Sequence, residues 1–173
     1  MSYEESKEYV SVYVSTDLRD KKRIESIRDG IMWNLDAETF FKRVTPHITV
    51  LPPFMIPEHN LDEFEEAVHD AKLQDYNVKV NGASVWRNIR RPYVVMLDVD
   101  AQIEDVGGEL RQTAEELGGY NFKEPVSPHI TLLKSKGWWE HIPDTVAWRL
   151  QKEIKRNRVV QNTEIEKLKM MVN

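Results

Sequence analysis

The chain contains no cysteine. Disulfides and thiolate metal sites are therefore excluded, and the composition suits a reducing compartment. Long apolar runs are also missing, and no segment approaches the roughly 20 apolar residues that a membrane-crossing helix needs. The opening residues, Met1-Ser-Tyr-Glu-Glu-Ser-Lys-Glu, are charged and lack an apolar signal core, so a cytoplasmic protein with no membrane association is expected. Positive charge is not in excess: 24 Lys and Arg against 29 Asp and Glu leave a net charge of −5. That balance argues against a surface that grips long nucleic acid, but not against a small phosphorylated substrate needing a few well-placed cations. No low-complexity stretch or linker interrupts the sequence. We expect one domain over residues 1–173, built as two interleaved lobes.

What the chain does contain is a repeated octet. Val44-Thr45-Pro46-His47-Ile48-Thr49-Val50-Leu51 recurs as Val126-Ser127-Pro128-His129-Ile130-Thr131-Leu132-Leu133, with six of eight residues identical and the histidines 82 positions apart. One His-x-Thr carries little information. Two copies in the same apolar frame point to a duplicated scaffold that brings two imidazoles together.

The flanking pattern extends the repeat. Tyr9 to Ser15 alternates with period two, as a strand does, and Thr16 or Asp17 is placed to cap a helix carrying Ile24, Ile27 and Ile31. The first octet then gives a short strand ended by Pro52-Pro53, and Asn60 with Glu63 resembles a capping box ahead of Leu61, Phe64, Val68 and Ala71. Asn77 to Trp86 predicts a strand with a bulge at Gly82, where the apolar phase shifts. A basic turn, Arg87 to Pro92, leads to a strand from Tyr93 to Val99 and a helix over Ile103 to Leu117, which Gly118-Gly119 ends. The second octet is the next strand, a helix starts near Asp144, and Asn162 to Val172 returns as a final strand. Strand, helix and octet thus occur twice, with repeats starting near Tyr9 and Tyr93.

Residues i and i+2 of a strand share a side, so His47 and Thr49 share one face, as do His129 and Thr131. A pseudo-twofold relation between the halves lets all four line one groove. Two imidazoles suit proton transfer near neutral pH: one accepts the proton of an attacking water or ribose hydroxyl, and the other donates to the leaving oxygen. The threonine hydroxyls can hydrogen-bond the charged phosphate oxygens. This chemistry needs neither cofactor nor metal, and no metal-ligand spacing such as His-x-x-x-His is present.

The paired His-x-Thr motifs, half a chain apart in apolar frames, resemble those of the 2H phosphoesterase superfamily. That superfamily includes RNA 2',3'-cyclic phosphodiesterases of the "2'-5' RNA ligase" group and phage anti-CBASS nucleases. The resemblance covers most of the chain from Tyr9 onward. It implies an α+β, bilobal, pseudo-twofold duplicated fold, with antiparallel sheets lining a central cleft and helices outside. It implies His47, Thr49, His129 and Thr131 as the catalytic tetrad of a metal-independent phosphodiesterase. The implied partners are a nucleotide, a cyclic oligonucleotide or a short RNA, with no obligatory protein partner. Lys134 stands five positions after the second histidine, where that group often carries a basic residue, usually Arg. Leu51-Pro52-Pro53-Phe54 replaces the group's usual Phe-Leu-Gly. Two other readings are a viral nuclease that degrades cyclic nucleotide immune signals in the host cytoplasm, and a non-catalytic nucleotide-binding module using the same groove. Reversible 2'-5' RNA ligation ranks lower, since no phosphate-binding glycine loop is visible.

Further substrate contacts are expected from aromatic and cationic residues near the octets. These are Lys134, Lys136 and Trp138 after the second octet, Trp86 beside Arg87, Arg90 and Arg91, and Tyr13 on the polar side of the first strand. His59, His69 and His141 lack a partner pattern and are expected at surface or capping positions.

Overall fold

The computed structural model describes residues 8–34, 41–88, 91–136, 148–149, 151–153, 156 and 162–173. Seven strands form one antiparallel sheet: β1 (Tyr9–Leu18), β2 (Phe41–Arg43), β3 (Thr49–Pro57), β4 (Asn77–Asn88), β5 (Arg91–Asp100), β6 (His129–Ser135) and β7 (Asn162–Val172). Their order across the sheet is β2-β6-β5-β4-β7-β1-β3. Helix α1 (Lys21–Asn34) follows β1, α2 (Leu61–Asp70) follows β3 and α3 (Glu104–Glu116) follows β5. Residues 148–149 and 151–153 are also helical, within the helix expected from Asp144, whose start lies outside the described residues. Among the described residues, no helix is long and apolar enough to cross a membrane.

The order contains two matched units. β3-β1-β7 in one half corresponds to β6-β5-β4 in the other, and the units join where Asn77–Lys79 of β4 pairs with residues 162–164 of β7. The expected paired sheets are therefore continuous with one another. Register gives the correspondence more sharply than the sequence. Ser15 faces Thr49 and Val14 faces Leu51 in one unit, while Met96 faces Thr131 and Val95 faces Leu133 in the other. Both pairings skip one residue, Val50 or Leu132, so the register shift after each His-x-Thr is itself repeated. Position 14 thus matches 95, an offset of 81, whereas the strand starts Tyr9 and Tyr93 suggest 84.

Alternation explains the core. Val12 and Val14 of β1, Val95, Leu97 and Val99 of β5, and Ile48 and Ile130 of the octets are buried on one side of the sheet. Phe64 and Val68 on α2, and Val106, Leu110 and Ala114 on α3, supply the covering stripes at helical spacing. Gly107 of α3 lies so close to β3 that an added Cβ would stand 2.8 Å from the Val50 carbonyl oxygen. Of the adjacent Gly107 and Gly108 within α3, Gly107 is therefore required by close packing.

Several local expectations hold. The register shift at Gly82 is present between β4 and β5, and Gly118 ends α3 with φ +86°. Others are corrected. β1 continues to Leu18, so neither Thr16 nor Asp17 caps α1; Thr16 Oγ1 instead accepts the Ile48 N–H at 3.0 Å. Pro52-Pro53 does not end β3, which runs on to Pro57. β3 is an edge strand, and its ladder with β1 shifts register at Pro52-Pro53, so the two missing N–H groups fall at an edge and a bulge, where proline is tolerated. Asn60 makes no capping bond on α2; its Nδ2 donates to the Leu117 carbonyl at 2.7 Å, tying the start of α2 to the end of α3.

Candidate functional site

The chain from Phe41 to Leu51 changes partners as it passes through the first octet. Phe41–Arg43 pairs with β6, and the Val44 N–H donates to the Leu132 carbonyl at 3.1 Å. Ile48 then forms a lone antiparallel bridge with Ile130, after which Thr49 enters the ladder with β1. His47 stands at this changeover. Its segment is anchored from the other side by Arg28 of α1, which is buried and donates from Nη1 to the Val44 carbonyl and from Nε to Asp29. Partial burial pushes Asp29 up, but the Arg28 and Arg43 guanidiniums outweigh it and hold the carboxyl below its ordinary range.

Arg28 therefore couples helix packing to the position of His47. Arg28→Ala should cost about 2–3 kcal/mol, through a lost charge-assisted bond and an unpaired carbonyl. For a chain of this size that lowers the thermal midpoint by about 4–12 °C, measurable by circular dichroism. Arg28→Lys should recover only part, because an ammonium cannot reach both acceptors as a planar fork does. An unchanged midpoint in Arg28→Ala would contradict this role.

The Ile48–Ile130 bridge organises the four octet residues. In an antiparallel pair, the residues flanking such a bridge stand opposite each other, so His47 is set against Thr131 and Thr49 against His129. All four share the face opposite Ile48 and Ile130, both of which are 0% exposed. The two histidines flank this bridge, near enough that the charge of His129 acts on His47. The rings are held alike. His47 Nδ1 lies 2.7 Å from the Thr45 carbonyl oxygen, and His129 Nδ1 lies 2.9 Å from that of Ser127. A carbonyl only accepts, so each Nδ1 carries its proton and each Nε2 is left to exchange one.

The cleft face continues across both units in matched rows. Thr49, Ser15 and Lys169 line up across β3, β1 and β7, as do Thr131, Met96 and Ser84 across β6, β5 and β4. One row further, His129 faces Asp98. Asp17 holds the corresponding place beside His47, and both line a cavity of about 330 Å³ with Tyr13, Ser15, Thr45, Lys169 and Met171. Each aspartate is held from the neighbouring strand: Lys169 Nζ lies 2.7 Å from Asp17 Oδ1, and Ser84 Oγ donates to Asp98 Oδ2 at 2.6 Å.

Burial pushes the His47 imidazole below the ordinary histidine range. Its bond to the Thr45 carbonyl opposes this, while the charges of Lys134, Lys169 and His129 add to it. His47 is therefore neutral over a wider acid range than a free imidazole. The Lys169 hydrogen bond, aided by the charges of Lys169, Lys21 and Lys167, holds Asp17 low against partial burial.

The remaining candidates separate clearly. Tyr13 lines the His47 cavity, with ring centroids 6.5 Å apart. Lys134 faces Val94, which faces Trp86, so both expected residues sit in one row of the cleft face; Lys134 is exposed, and Trp86 is 42% exposed. Lys136 is exposed at the end of β6. Trp138, His141, Arg90 and the side chains of Arg87 and Arg91 lie outside the described residues. His59 and His69 are exposed, in a 3-10 turn and the last turn of α2. Lys169, Asp17 and Asp98 are cleft residues that the sequence pattern does not single out. The only signal for Lys169 is its place in the final strand, 122 positions from His47.

The family model of the 2'-5' RNA ligase superfamily matches residues 16–172. The chain belongs to this superfamily. Its members are 2H phosphoesterases and RNA ligase-like phosphodiesterases, the class that the octets resemble. Among curated proteins, none matches the chain significantly by sequence. Solved structures match its fold. Usb1 of Kluyveromyces marxianus aligns with TM-score 0.58 and 13% identity over 94% of this chain and 93% of its own. LigT of E. coli, complexed with NADP+, gives TM-score 0.55 and 18% identity over 79% and 77%. TT0787 of Thermus thermophilus gives 0.54 and 20% over 77% and 78%. At such identities the likeness speaks to fold, and the α+β antiparallel architecture is common to all.

Proposed function

We propose that the protein is a metal-independent phosphodiesterase that hydrolyses nucleotide or RNA phosphodiesters, with His47 as general base and His129 as general acid. The Ile48–Ile130 bridge carries this reading, because it sets two Nδ1-anchored imidazoles and two threonines on one face. Nε2 of neutral His47 takes the proton of the attacking water or ribose hydroxyl. His129, as imidazolium, delivers a proton to the departing oxygen. Thr49 and Thr131 hydrogen-bond the non-bridging oxygens as negative charge develops there, and Lys134 adds a cation to the same cleft. The lowered pKa of His47 supports the assignment of the base.

Cavity size and the ligands of fold relatives support a nucleotide-sized substrate. The cavity beside His47 falls at the lower end of the range for small-ligand sites, about 300–1,000 Å³. Structures of the fold relatives contain uridine monophosphate in Usb1 and 3'-AMP in LigT, which supports a nucleotide here. The substrates proposed are 2',3'-cyclic phosphates, 2'-5' or 3'-5' linkages and cyclic oligonucleotides. A panel of these, read by mass spectrometry, identifies the preferred one, and cyclic oligonucleotides as sole substrates would favour an anti-defence nuclease.

The pH dependence tests the mechanism. A base works only when unprotonated, so kcat/KM rises as His47 of the free enzyme loses its proton. Because the His47 pKa lies below the ordinary 6.5, the acidic limb of a bell-shaped profile should fall below that value. A limb at or above 6.5, or a flat profile, would count against His47 as the base.

A further inference from the structure

The matched rows agree at the tetrad and at the aspartates, but differ in what holds each aspartate. Lys169 and Ser84 occupy equivalent places, opposite Ser15 and Met96, and each bonds the acid two residues along the adjoining strand. The unit bearing His47 therefore offers an ammonium where the unit bearing His129 offers a hydroxyl. Asp17 does not neutralise this ammonium in isolation, because Lys167 lies 3.9 Å from its other oxygen. With two lysines on one carboxylate, the group is net positive. The Lys169 side chain is also 35% exposed and lines the cavity beside His47 and Tyr13.

We propose that Lys169, steadied by Asp17, binds a non-bridging oxygen of the substrate phosphate on the His47 side. This rests on the phosphodiesterase reading above and adds to its site a cation from β7, on the opposite unit from Lys134. A lysine suits this role, since its ammonium is a compact charge on a flexible stem and the Asp17 bond limits the positions it samples. Lys169 thereby acts on substrate and on His47 together.

Among the described residues, the charged and titratable groups around His47 are Tyr13 and Asp17 from β1, Lys169 from β7, and Lys134 and His129 from β6. Of these, Lys169 can be changed without touching the tetrad. With whichever panel substrate the parent enzyme turns over, Lys169→Met should lower kcat/KM by about 10–100-fold, the worth of one charge-assisted bond. It should also move the acidic limb to higher pH, since a cation has left the neighbourhood of His47. Lys169→Arg should keep most activity and leave the limb in place. Lys169→Gln, a polar replacement, must repeat both changes, and it decides the matter if the methionine variant does not fold. A parent enzyme that turns over substrate, with both neutral variants matching its kcat/KM and acidic limb, overturns this inference alone. A parent without turnover on any panel substrate overturns the underlying reading instead.

Discussion

His47→Ala is expected to lower turnover by about 10²–10⁴-fold, the usual contribution of a positioned proton-transfer group, with little loss of stability. The stability side follows from its surroundings. His47 is half-buried, and its one direct bond within the protein that the structure shows is Nδ1 to the Thr45 carbonyl. Loss of such a bond costs about 1 kcal/mol, or roughly 2–4 °C in thermal midpoint for a chain of this length. The segment itself stays anchored by Arg28, Thr16 and Leu132, none of which bonds to the ring. Activity and stability should therefore separate: steady-state kinetics fall by orders of magnitude while the melting curve barely moves. A variant that retains full activity removes His47 from the chemistry. One that loses activity only because it unfolds leaves its role structural.

His129→Ala should be equally damaging with a natural leaving group, but should respond to substrate chemistry in a way that His47→Ala does not. A general acid matters in proportion to the basicity of the departing oxygen. A ribose alkoxide needs the proton, whereas a nitrophenolate leaves without one. With a nitrophenyl phosphodiester, His129→Ala should regain most of the roughly 10²–10⁴-fold that it loses on a nucleotide substrate, while His47→Ala stays impaired. Reversal of the pattern, with rescue of His47→Ala, would exchange the two roles. Equal impairment of both variants on both substrates would mean that the histidines position substrate rather than transfer protons. The double variant should be scarcely worse than the poorer single one, since groups acting as a unit are not additive.

Much of this site can be read directly from the residues. The octet is short, local and repeated, so period-two alternation alone places His47 with Thr49 and His129 with Thr131. The Ile48–Ile130 bridge then shows why the isoleucine between each pair is apolar. What escapes the sequence depends on register between distant strands. Lys169 reaches His47 only because β7 pairs with β1, and its alternation with buried Leu168 says nothing about which strand lies beside it. The Asp17–Asp98 correspondence is hidden when Tyr9 is matched to Tyr93, a resemblance of residue type that the ladder shifts by three. Proline ends a strand only where the missing N–H is needed, so Pro52-Pro53, at a sheet edge and a register shift, does not stop β3. Asn60 resembles a cap because capping boxes are local, while its real partner, Leu117, lies 57 residues away.

The decisive measurement is product formation in the presence of EDTA, with parent enzyme beside His47→Ala and His129→Ala on the best substrate of the panel. Two-histidine catalysis requires that the parent cleave at an undiminished rate, while each variant makes product at least about 100-fold more slowly. Loss of parent activity on chelation, restored by added divalent metal, would contradict it, as would full turnover by either variant.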